Sequence, residues 1–369
     1  MKRILFLIHD LSYGGAERVL VNLANGLDKK KYEVYVQTLF DIGVNKQYLN
    51  DDVHYIPGAK RVFSGNATLM KLLSPKALAK IVIKDNYDLV VSFLEGPCSR
   101  IVSGYSGKKA AWIHIEHLSV ESLSKHFRSF DEMKKCYNSF DSISCVADTV
   151  RENFLKLSQT TAKCITVYNV NDTDDIISKS EEKQETIKRD ANCVNIISVG
   201  RLINNHKGFD RLINVHKKLL DEGINNKLYI LGEGPDKENL VELIEQLGIN
   251  ESCFLLGFRD NPYKYIKAAD LFVCSSHKEG FSTAVTEALI LGVPVVSTDV
   301  SGAYELLGKN NEYGIVTENS EDGIYFGIKE MLSKNSLSEY KELAQFRGES
   351  FKSEITLKEN EKLFDELMR

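Results

Sequence analysis

The feature that most constrains the fold of this chain is an alternation of short apolar runs with longer amphipathic runs. The runs RILFLI and SISCVA precede the helical segments AERVLVNLANGL and TVRENFLKL, and DLVVSFL follows the helical segment ALAKIVIKDN. Apolar runs of about four to eight residues that alternate with helices are typical of the parallel strands of a doubly wound α/β sheet. The alternation therefore predicts Rossmann-like architecture.

The alternation occurs twice, with a charged interruption between the two series. Residues 171–192 read NDTDDIISKSEEKQETIKRDAN, and the pattern restarts at VNIISVG. The chain has 369 residues, which exceeds the ~250–300 residues at which single cores stop growing. We predict two doubly wound domains, residues 1–170 and 171–353, with an interdomain cleft facing the carboxyl ends of the strands. The final amphipathic run, residues 354–369, can complete the first domain.

Composition narrows the class of protein. With 43% hydrophobic and 27% charged residues, the chain is neither disordered nor fibrous. The seven cysteines are scattered without a C-x-x-C pair, which indicates reduced thiols. The apolar run in MKRILFLI is too short for a signal peptide, and no run approaches the ~18 apolar residues of a membrane span. We therefore predict a cytoplasmic protein.

The net charge of −5 is unevenly distributed. Residues 1–170 contain 23 Lys and Arg against 17 Asp and Glu, a balance of +6, which leaves 24 against 35, or −11, for the remainder. A basic first half favours an anionic membrane surface as partner, although uneven solvated charge is an equally simple interpretation. No nucleic-acid partner is predicted. The cations considered for membrane contact are Lys108, Lys109, Lys125, Arg128, Lys134 and Lys135.

Two glycine-containing loops are candidate phosphate sites. In SVGRLINNHKGFD, an apolar strand ends before Arg201, and Lys207 and Gly208 stand at the start of a helix. Helix amides, the helix dipole and two cations all favour a diphosphate there, whereas surface cations near a turn are the simpler alternative. Gly14 and Gly15 lie between the first strand and helix, where glycine permits either close approach to a phosphate or a tight turn.

Two glutamates in SSHKEGFSTAVTEALILGVPVVS, residues 275–297, raise the question of acid/base catalysis. Glu279 is predicted on the exit loop of a strand, and Glu287 about one turn into a helix capped by Ser282 and Thr283. Glycosidase carboxylates face each other across a bond, about 5–9.5 Å apart, which two residues of one loop-helix segment rarely do. Hydroxyl recognition is the more natural role, with a merely solvated Glu287 as the alternative.

The sequence gives little support for a metal site or a dinucleotide site. His114 follows the strand AAWIHI, and either a structural or a catalytic role fits it; His114-x-x-His117 has no third ligand at sensible spacing. Asp172 and Asp174 form a D-x-D that could hold a divalent cation, but they open the acidic stretch, where such triplets are common. The full G-x-G-x-x-G fingerprint is absent after Gly232. We predict no metal and no cofactor.

Together these segments resemble the retaining glycosyltransferases of family 4, which have the GT-B fold and include enzymes of bacterial cell-surface polysaccharide synthesis. The segments that carry the resemblance are SYGGAER at 12–18, GRLINNHKGFD at 200–210, ILGEGP at 230–235, GFRDNPYKYIKAADLFVCSS at 257–276, and residues 275–302. The resemblance implies the catalytic residues Arg201, Lys207, Glu279 and His114. The donor-binding residues that it implies are Gly14, Gly15, Gly208, Phe258, Arg259, Gly280, Phe281, Ser282, Thr283 and Glu287.

The resemblance also implies roles. Arg201 and Lys207 would bind the donor diphosphate, Glu279 and His114 the transferred sugar, and Glu287 the ribose. The other donor-binding residues would contact phosphate or sugar, apart from Phe258 and Arg259, which would meet the base. Many family members have glycine at the position of Ser282, so the resemblance implies a narrower pocket beside the sugar here and does not identify the donor sugar.

The implied reaction moves a hexose-type sugar from a UDP- or GDP-linked donor to a polyprenyl-diphosphate-linked glycan, with retention and without a metal. It would serve capsular, exo- or lipopolysaccharide synthesis at the inner face of the membrane. A nucleotide-sugar epimerase, a phosphorylase and a non-catalytic partner subunit are the alternatives.

Overall fold

The computed structural model describes residues 1–12, 14–61, 70–117, 119–182, 187, 190, 192–333 and 336–369. Contacts divide the chain into two compact units. The N-terminal unit comprises Met1–Asn171 and Ser353–Arg369, and the C-terminal unit comprises Asp172–Lys352. Both are Rossmann-like α/β units built on a parallel sheet.

The described part of the N-terminal unit contains a seven-stranded parallel sheet with the order β3-β2-β1-β4-β5-β6-β7. Its strands are β1 Lys2–Ile8, β2 Tyr32–Thr38, β3 His54–Ile56, β4 Leu89–Phe93, β5 Lys109–Ile113, β6 Ser142–Cys145 and β7 Cys164–Thr166. The helices between them are α1 Gly15–Gly26, α2 Pro75–Val82, α3 Pro97–Ser103, α4 Val120–Ser124, α5 Phe130–Asn138 and α6 Asp148–Ser158. The central strands β1 and β4 are continuous apolar runs because helices cover both faces of the sheet.

The C-terminal unit repeats the scheme with six strands among its described residues, in the order β10-β9-β8-β11-β12-β13. These strands are β8 Val194–Val199, β9 Asn226–Leu231, β10 Cys253–Gly257, β11 Leu271–Cys274, β12 Val295–Thr298 and β13 Ile315–Thr317. Its helices are α7 Thr173–Ser180, α8 Asn204–Lys207, α9 Phe209–Asp221, α10 Lys237–Gln246, α11 Tyr263–Ala268, α12 Thr283–Ile290, α13 Ala303–Leu307, α14 Glu321–Met331 and α15 Ser336–Gly348.

The last helix, α16 Ser353–Leu367, belongs to the N-terminal unit. Phe364 packs edge-on against Phe6 of β1, with ring centroids 5.8 Å apart, and lies 5.7 Å from the ring of Trp112. Tyr32 donates a hydrogen bond of 2.6 Å to Asp365. The C-terminal helix α16 therefore completes the hydrophobic core that contains β1.

The strand order reverses once in each sheet, between β1 and β4 and between β8 and β11. Open α/β sheets bind ligands outside the carboxyl ends of the strands at such reversals, because the flanking loops diverge and leave a crevice. The fold thus marks one candidate ligand position in each unit.

The charged stretch that interrupts the alternation is more ordered than its composition predicts. It begins with α7, in which Thr173, Ile176 and Ser180 are buried at helical spacing, and α7 packs against α11. Asp172 caps this helix by accepting a hydrogen bond of 3.1 Å from the Asp175 amide, which explains an aspartate here without a cation. Residues 183–186, 188, 189 and 191 lie outside the described part.

Three whole-chain features bear on function. No helix in the described ranges is both long and apolar enough to cross a membrane. Within the same ranges, no group of three or more His, Cys, Asp or Glu side chains is placed to hold a metal ion. All seven cysteines are free thiols, most of them buried.

Candidate functional site

An ion pair marks the strand-order reversal of the C-terminal unit. Lys207 ends α8, which follows β8, and Glu279 lies on the loop that follows β11. The Lys207 Nζ lies 2.6 Å from the Glu279 Oε1, which also accepts a hydrogen bond of 2.6 Å from the Ser276 hydroxyl. Burial disfavours the charged ammonium, but the adjacent carboxylate outweighs this effect and raises the pKa of Lys207. The pair places opposite charges at the crevice.

The pair lines a small pocket over the sheet. Its other walls include Phe209, Cys274 and Ser282. Burial raises the pKa of the Cys274 thiol, which is therefore a neutral wall rather than a nucleophile. Its lining brings a cation and a carboxylate together with apolar side chains.

Gly208 allows the segments that follow β8 and β11 to approach each other closely. Its φ of +61° lies in the left-handed region, and a Cβ there would stand 2.4 Å from the carbonyl oxygen of Ser275. The Ser275 hydroxyl in turn donates to the Lys207 carbonyl at 2.9 Å. Arg201 is exposed and lies at the start of the segment that runs from β8 to Gly208. Glycine is required here for contact between loops, whatever it also offers a ligand.

Arg211 braces the loop that carries Glu279. This arginine of α9 is buried and donates hydrogen bonds to the carbonyls of Ser275, at 2.9 Å, and Ser276, at 2.8 Å, and to Asn319 Oδ1 at 2.8 Å. Sequence reasoning missed it. Its helical neighbours include Lys207 and Asn214, so hydropathy gave no signal that this arginine is buried.

The loop-helix segment after Glu279 presents a helix N-terminus. Ser282 caps α12 by accepting a hydrogen bond from the Val285 amide, so the residue that departs from the family pattern has a structural role as well as a place in the pocket wall. Thr283 and Glu287 are four residues apart on α12 and share one face. Phe281 is buried, while Gly280 and Thr283 are partly exposed.

The remaining residues predicted in this unit flank the ends of β8, β9 and β10. Phe258, directly after β10, is 46% exposed, and the Arg259 guanidinium lies 6.0 Å from the ring of Tyr265. A Cβ on Gly232 would stand 1.8 Å from the carbonyl oxygen of Gly200. The glycine after β9 is therefore explained by the close approach of two strand ends.

Gly14, Gly15 and His114 belong to the N-terminal unit. Gly14 is the extended N-cap of α1, whose first residue is Gly15. The Glu17 carboxylate lies beside this turn, since a Cβ on Gly14 would stand 2.0 Å from its Oε2. Tyr13, within the motif SYGGAER, lies outside the described residues.

His114 is a buried, neutral imidazole at the carboxyl end of β5. Its ring lies 4.7 Å from that of Phe93, and its Nε2 is buried without a hydrogen-bond partner. Burial lowers the pKa of His114 to about 4, against the opposing effect of the Glu95 carboxylate. At neutral pH the ring can therefore donate or accept one hydrogen bond without carrying charge.

Glu95 was not predicted from the sequence. Its carboxylate is 8% exposed, accepts a hydrogen bond of 3.1 Å from the His114 amide, and lies 3.6 Å from the His117 Nε2. Burial disfavours ionisation, but the interaction with His117, reinforced by His114, outweighs it and lowers the pKa of Glu95. A buried carboxylate that stays ionised beside two histidines is a candidate functional group.

The backbone around Glu95 is strained. Leu94 has a φ of 129° and Gly96 a φ of 89°, and non-glycine residues rarely adopt positive φ. The Leu94 carbonyl accepts hydrogen bonds from the hydroxyls of Ser92, at 2.9 Å, and Ser99, at 3.3 Å. Strain held by such contacts clusters at functional sites. The carboxyl edge of this sheet therefore carries a second constellation.

Comparison with known proteins gives the family of both units. The family model for glycosyl transferases group 1 matches residues 179–347, and the model for glycosyltransferase family 4 matches residues 13–175. The first match contains Arg201, Lys207 and Glu279, and the second contains His114.

Individual relatives agree with the family models. The chain is 30% identical over 95% of its length to a Campylobacter jejuni N-acetylgalactosaminyltransferase whose named acceptor is a diphospho-undecaprenol, and the match covers 96% of that protein. It is 24% identical, over 88% of its length and 87% of the relative, to the lipopolysaccharide core glycosyltransferase LpsE of Rhizobium meliloti. The crystal structure of Anabaena HepE with UDP and glucose matches 99% of this chain and 100% of its own, with a TM-score of 0.77 and 19% identity.

Proposed function

This chain belongs to the family 4 glycosyltransferases with the GT-B fold, and from that premise we propose that it transfers a hexose-type sugar from a nucleotide diphosphate to a lipid-linked glycan with retention. The observation that carries the proposal is the Lys207–Glu279 pair at the strand-order reversal. One member has the charge for a diphosphate and the other has the acceptor oxygens for sugar hydroxyls.

The charges suit cleavage of a glycosyl-phosphate bond. Negative charge develops on the leaving diphosphate, and preorganised cations and helix amides stabilise it in the transition state. Lys207 is held in place before the donor binds, since Glu279 fixes its ammonium. Arg201 precedes Lys207 in the same segment and can add a bidentate contact to the diphosphate. The first-turn amides of α12, which begins after Ser282, can add further hydrogen bonds to it. These groups supply the positive charge of the proposed metal-independent reaction.

Glu279 is better suited to recognition than to nucleophilic attack. Its Oε1 is shared between the Lys207 ammonium and the Ser276 hydroxyl, which lowers its nucleophilicity and fixes its orientation. We therefore assign it to a sugar hydroxyl. In the proposed retaining reaction, the leaving phosphate oxygen takes the proton of the acceptor hydroxyl on the same face of the sugar. His114, neutral and with an orphan Nε2, would hydrogen-bond the transferred sugar.

The acceptor is proposed from the relatives. The Campylobacter protein is named for transfer to a diphospho-undecaprenol-linked saccharide, and LpsE is named for lipopolysaccharide core synthesis. A polyprenyl-diphosphate-linked glycan in cell-surface polysaccharide synthesis fits both. Such an acceptor lies in the membrane, so we also propose that this enzyme works peripherally at the inner, anionic surface.

A donor panel tests the proposal. Purified protein is mixed with UDP- and GDP-linked hexoses and N-acetylhexosamines, and a bound donor should raise the melting temperature because it stabilises only the native state. The stabilising donor is then incubated with diphosphate-lipid acceptors, with and without EDTA, and NMR reads the anomeric configuration of the product. An inverted product would refute retention, inhibition by EDTA would refute metal independence, and epimerised or hydrolysed donor without transfer would refute the transferase assignment.

A further inference from the structure

An exposed apolar cluster lies on the N-terminal unit, between β3 and β4. Leu72 is 70% exposed and Leu73 is 39% exposed, and Ile81 of α2 is 57% exposed. These residues belong to the segment 70–84, which we call the leucine segment. Scattered single apolar residues are normal on a surface, but several of them within one short segment point to an interaction site.

The leucine segment is held from beneath. The buried Arg100 donates hydrogen bonds of 2.8 Å to the carbonyls of Met70 and Leu73, and Arg128 donates to those of Lys71 and Leu72. Glu132 joins the two guanidinium groups. The backbone of residues 70–73 is thus fixed by charged hydrogen bonds, while the side chains of Leu72 and Leu73 remain exposed.

The surroundings of the leucines are strongly basic. The segment 70–84 contains Lys71, Lys76, Lys80 and Lys84 and no acidic residue. Lys76 and Lys80 are exposed and lie four residues apart on α2, so they share one face. Lys71 and Lys125 both act on His126, whose pKa is lowered by burial first and by these lysines next. Lys125 therefore extends the positive surface.

We infer that the leucine segment docks the enzyme on an anionic phospholipid bilayer, with Leu72 and Leu73 inserted among the acyl chains and the lysines paired with phosphate headgroups. This inference rests on the proposed function for the reason to approach a membrane. Its location rests on the juxtaposition of the exposed Leu72 and Leu73 with the lysines of the same segment. Charge selects the partner: an apolar protein groove offers no excess of negative charge, whereas an anionic leaflet attracts each nearby lysine. Apolar side chains then add an insertion that salt does not screen.

The leucine segment differs from the membrane contact that the charge distribution of the sequence indicated. Among the cations predicted to meet the membrane, Lys108 lies 3.5 Å from Asp141, and the Lys109 ammonium donates to the Tyr105 carbonyl at 2.6 Å. Both have partners within the protein. Arg128 also has an internal function, since it holds the leucine segment.

Vesicle flotation of the full chain, without donor or acceptor, tests the docking surface. The wild-type protein should float with phosphatidylcholine vesicles that contain phosphatidylglycerol, and much less with pure phosphatidylcholine. Leu72→Glu/Leu73→Glu and Lys76→Glu/Lys80→Glu should each weaken partitioning about tenfold or more. High salt should weaken binding of the wild type without abolishing it, because the leucine insertion remains.

Matched controls separate this site from general charge and apolarity. Lys309→Glu/Lys358→Glu makes the same charge change at exposed lysines elsewhere, and Phe326→Glu removes an apolar side chain that is 63% exposed in the C-terminal unit; both should float like wild type. Donor-induced stabilisation should persist in every variant, which also shows that each is folded. Equal flotation of the leucine variant and wild type, or no flotation of wild type, would overturn the inference even if transfer to a detergent-solubilised acceptor is normal.

Discussion

Lys207 and Glu279 are 72 residues apart in sequence, yet the Lys207 Nζ and the Glu279 Oε1 are separated by 2.6 Å. The pair joins the loops that follow β8 and β11, the two strands between which the sheet order reverses. It thereby turns a general property of open α/β sheets into a site with a defined charge pattern.

Removal of either member should stop catalysis without unfolding the enzyme. Lys207→Ala should lower kcat about 10²–10³-fold, the usual effect of losing one preorganised transition-state contact, and Glu279→Ala should be comparably impaired. Because the two residues act as a unit, the double variant should lose far less than the product of the single losses. Nucleotide release with a fixed acceptor measures each rate.

The control for that cycle is Lys218→Ala, which removes a more exposed ion pair with Asp322 in the same unit. Such pairs contribute little, and its kcat should match the wild type. A Lys207→Ala enzyme within twofold of wild type would contradict the assignment of the leaving-group site.

Gly208→Ala should destabilise the protein beyond the cost of its backbone conformation. Gly248 has a similar φ, +65° against +61°, but a Cβ there would meet nothing within 4 Å. Gly248→Ala should therefore cost about 1–2 kcal/mol, the penalty of the left-handed region for an L-residue. Gly208→Ala should cost about 1–3 kcal/mol more, because its Cβ would collide with the Ser275 carbonyl. Urea unfolding of both variants gives the difference, and equal losses would show that the two loops separate easily.

Glu95→Ala should reveal the support that this carboxylate gives to His114. The buried His114 amide would lose its acceptor, at a cost of about 1–3 kcal/mol in the free energy of unfolding. Glu95→Gln retains an acceptor oxygen and should lose less stability. The exposed Glu152→Ala should stay within about 0.5 kcal/mol of wild type. If Glu95→Ala unfolds like the Glu152 control, the hydrogen bond from the His114 amide to this carboxylate does not stabilise the fold.

Stability should decline as the pH falls from about 6.5 to about 4. His114 has its pKa lowered to about 4 by burial, so in this window the unfolded chain binds a proton that the native state does not. The pKa values of His126, His206, His216 and His277 are also lowered by burial, which gives their contributions the same sign. Each histidine can contribute at most about 1.4 kcal/mol per pH unit.

Substitution isolates the His114 contribution. His114→Gln should flatten the pH dependence of the unfolding free energy between those limits by up to one proton, as measured by urea unfolding at several pH values. An unchanged slope would show that His114 takes up its proton over the same pH range in the native state as in the unfolded chain.

The local order of elements could be predicted from this sequence, because burial on both faces of a parallel sheet leaves continuous apolar runs that amphipathic helices separate. The same pattern placed Arg201, Lys207 and Glu279 after strand ends, although Lys207 ends the short helix α8 and does not lie on a loop. It failed at α7, where Thr173, Ile176 and Ser180 are the buried positions in a charged stretch. Two of those three side chains are polar, so hydropathy gave little signal.

The sequence by itself determined strand-helix alternation, the break near residue 171 and the glycine and charged residues at strand ends, since each depends on neighbours along the chain. Only the tertiary structure decided that Lys207 meets Glu279, that Arg211 holds the carbonyls of Ser275 and Ser276, and that Glu95 lies beside His114. These contacts join different strands or helices, and their existence depends on strand order. Alternation is compatible with many strand orders, because the pattern records which residues are buried and not which strands become neighbours.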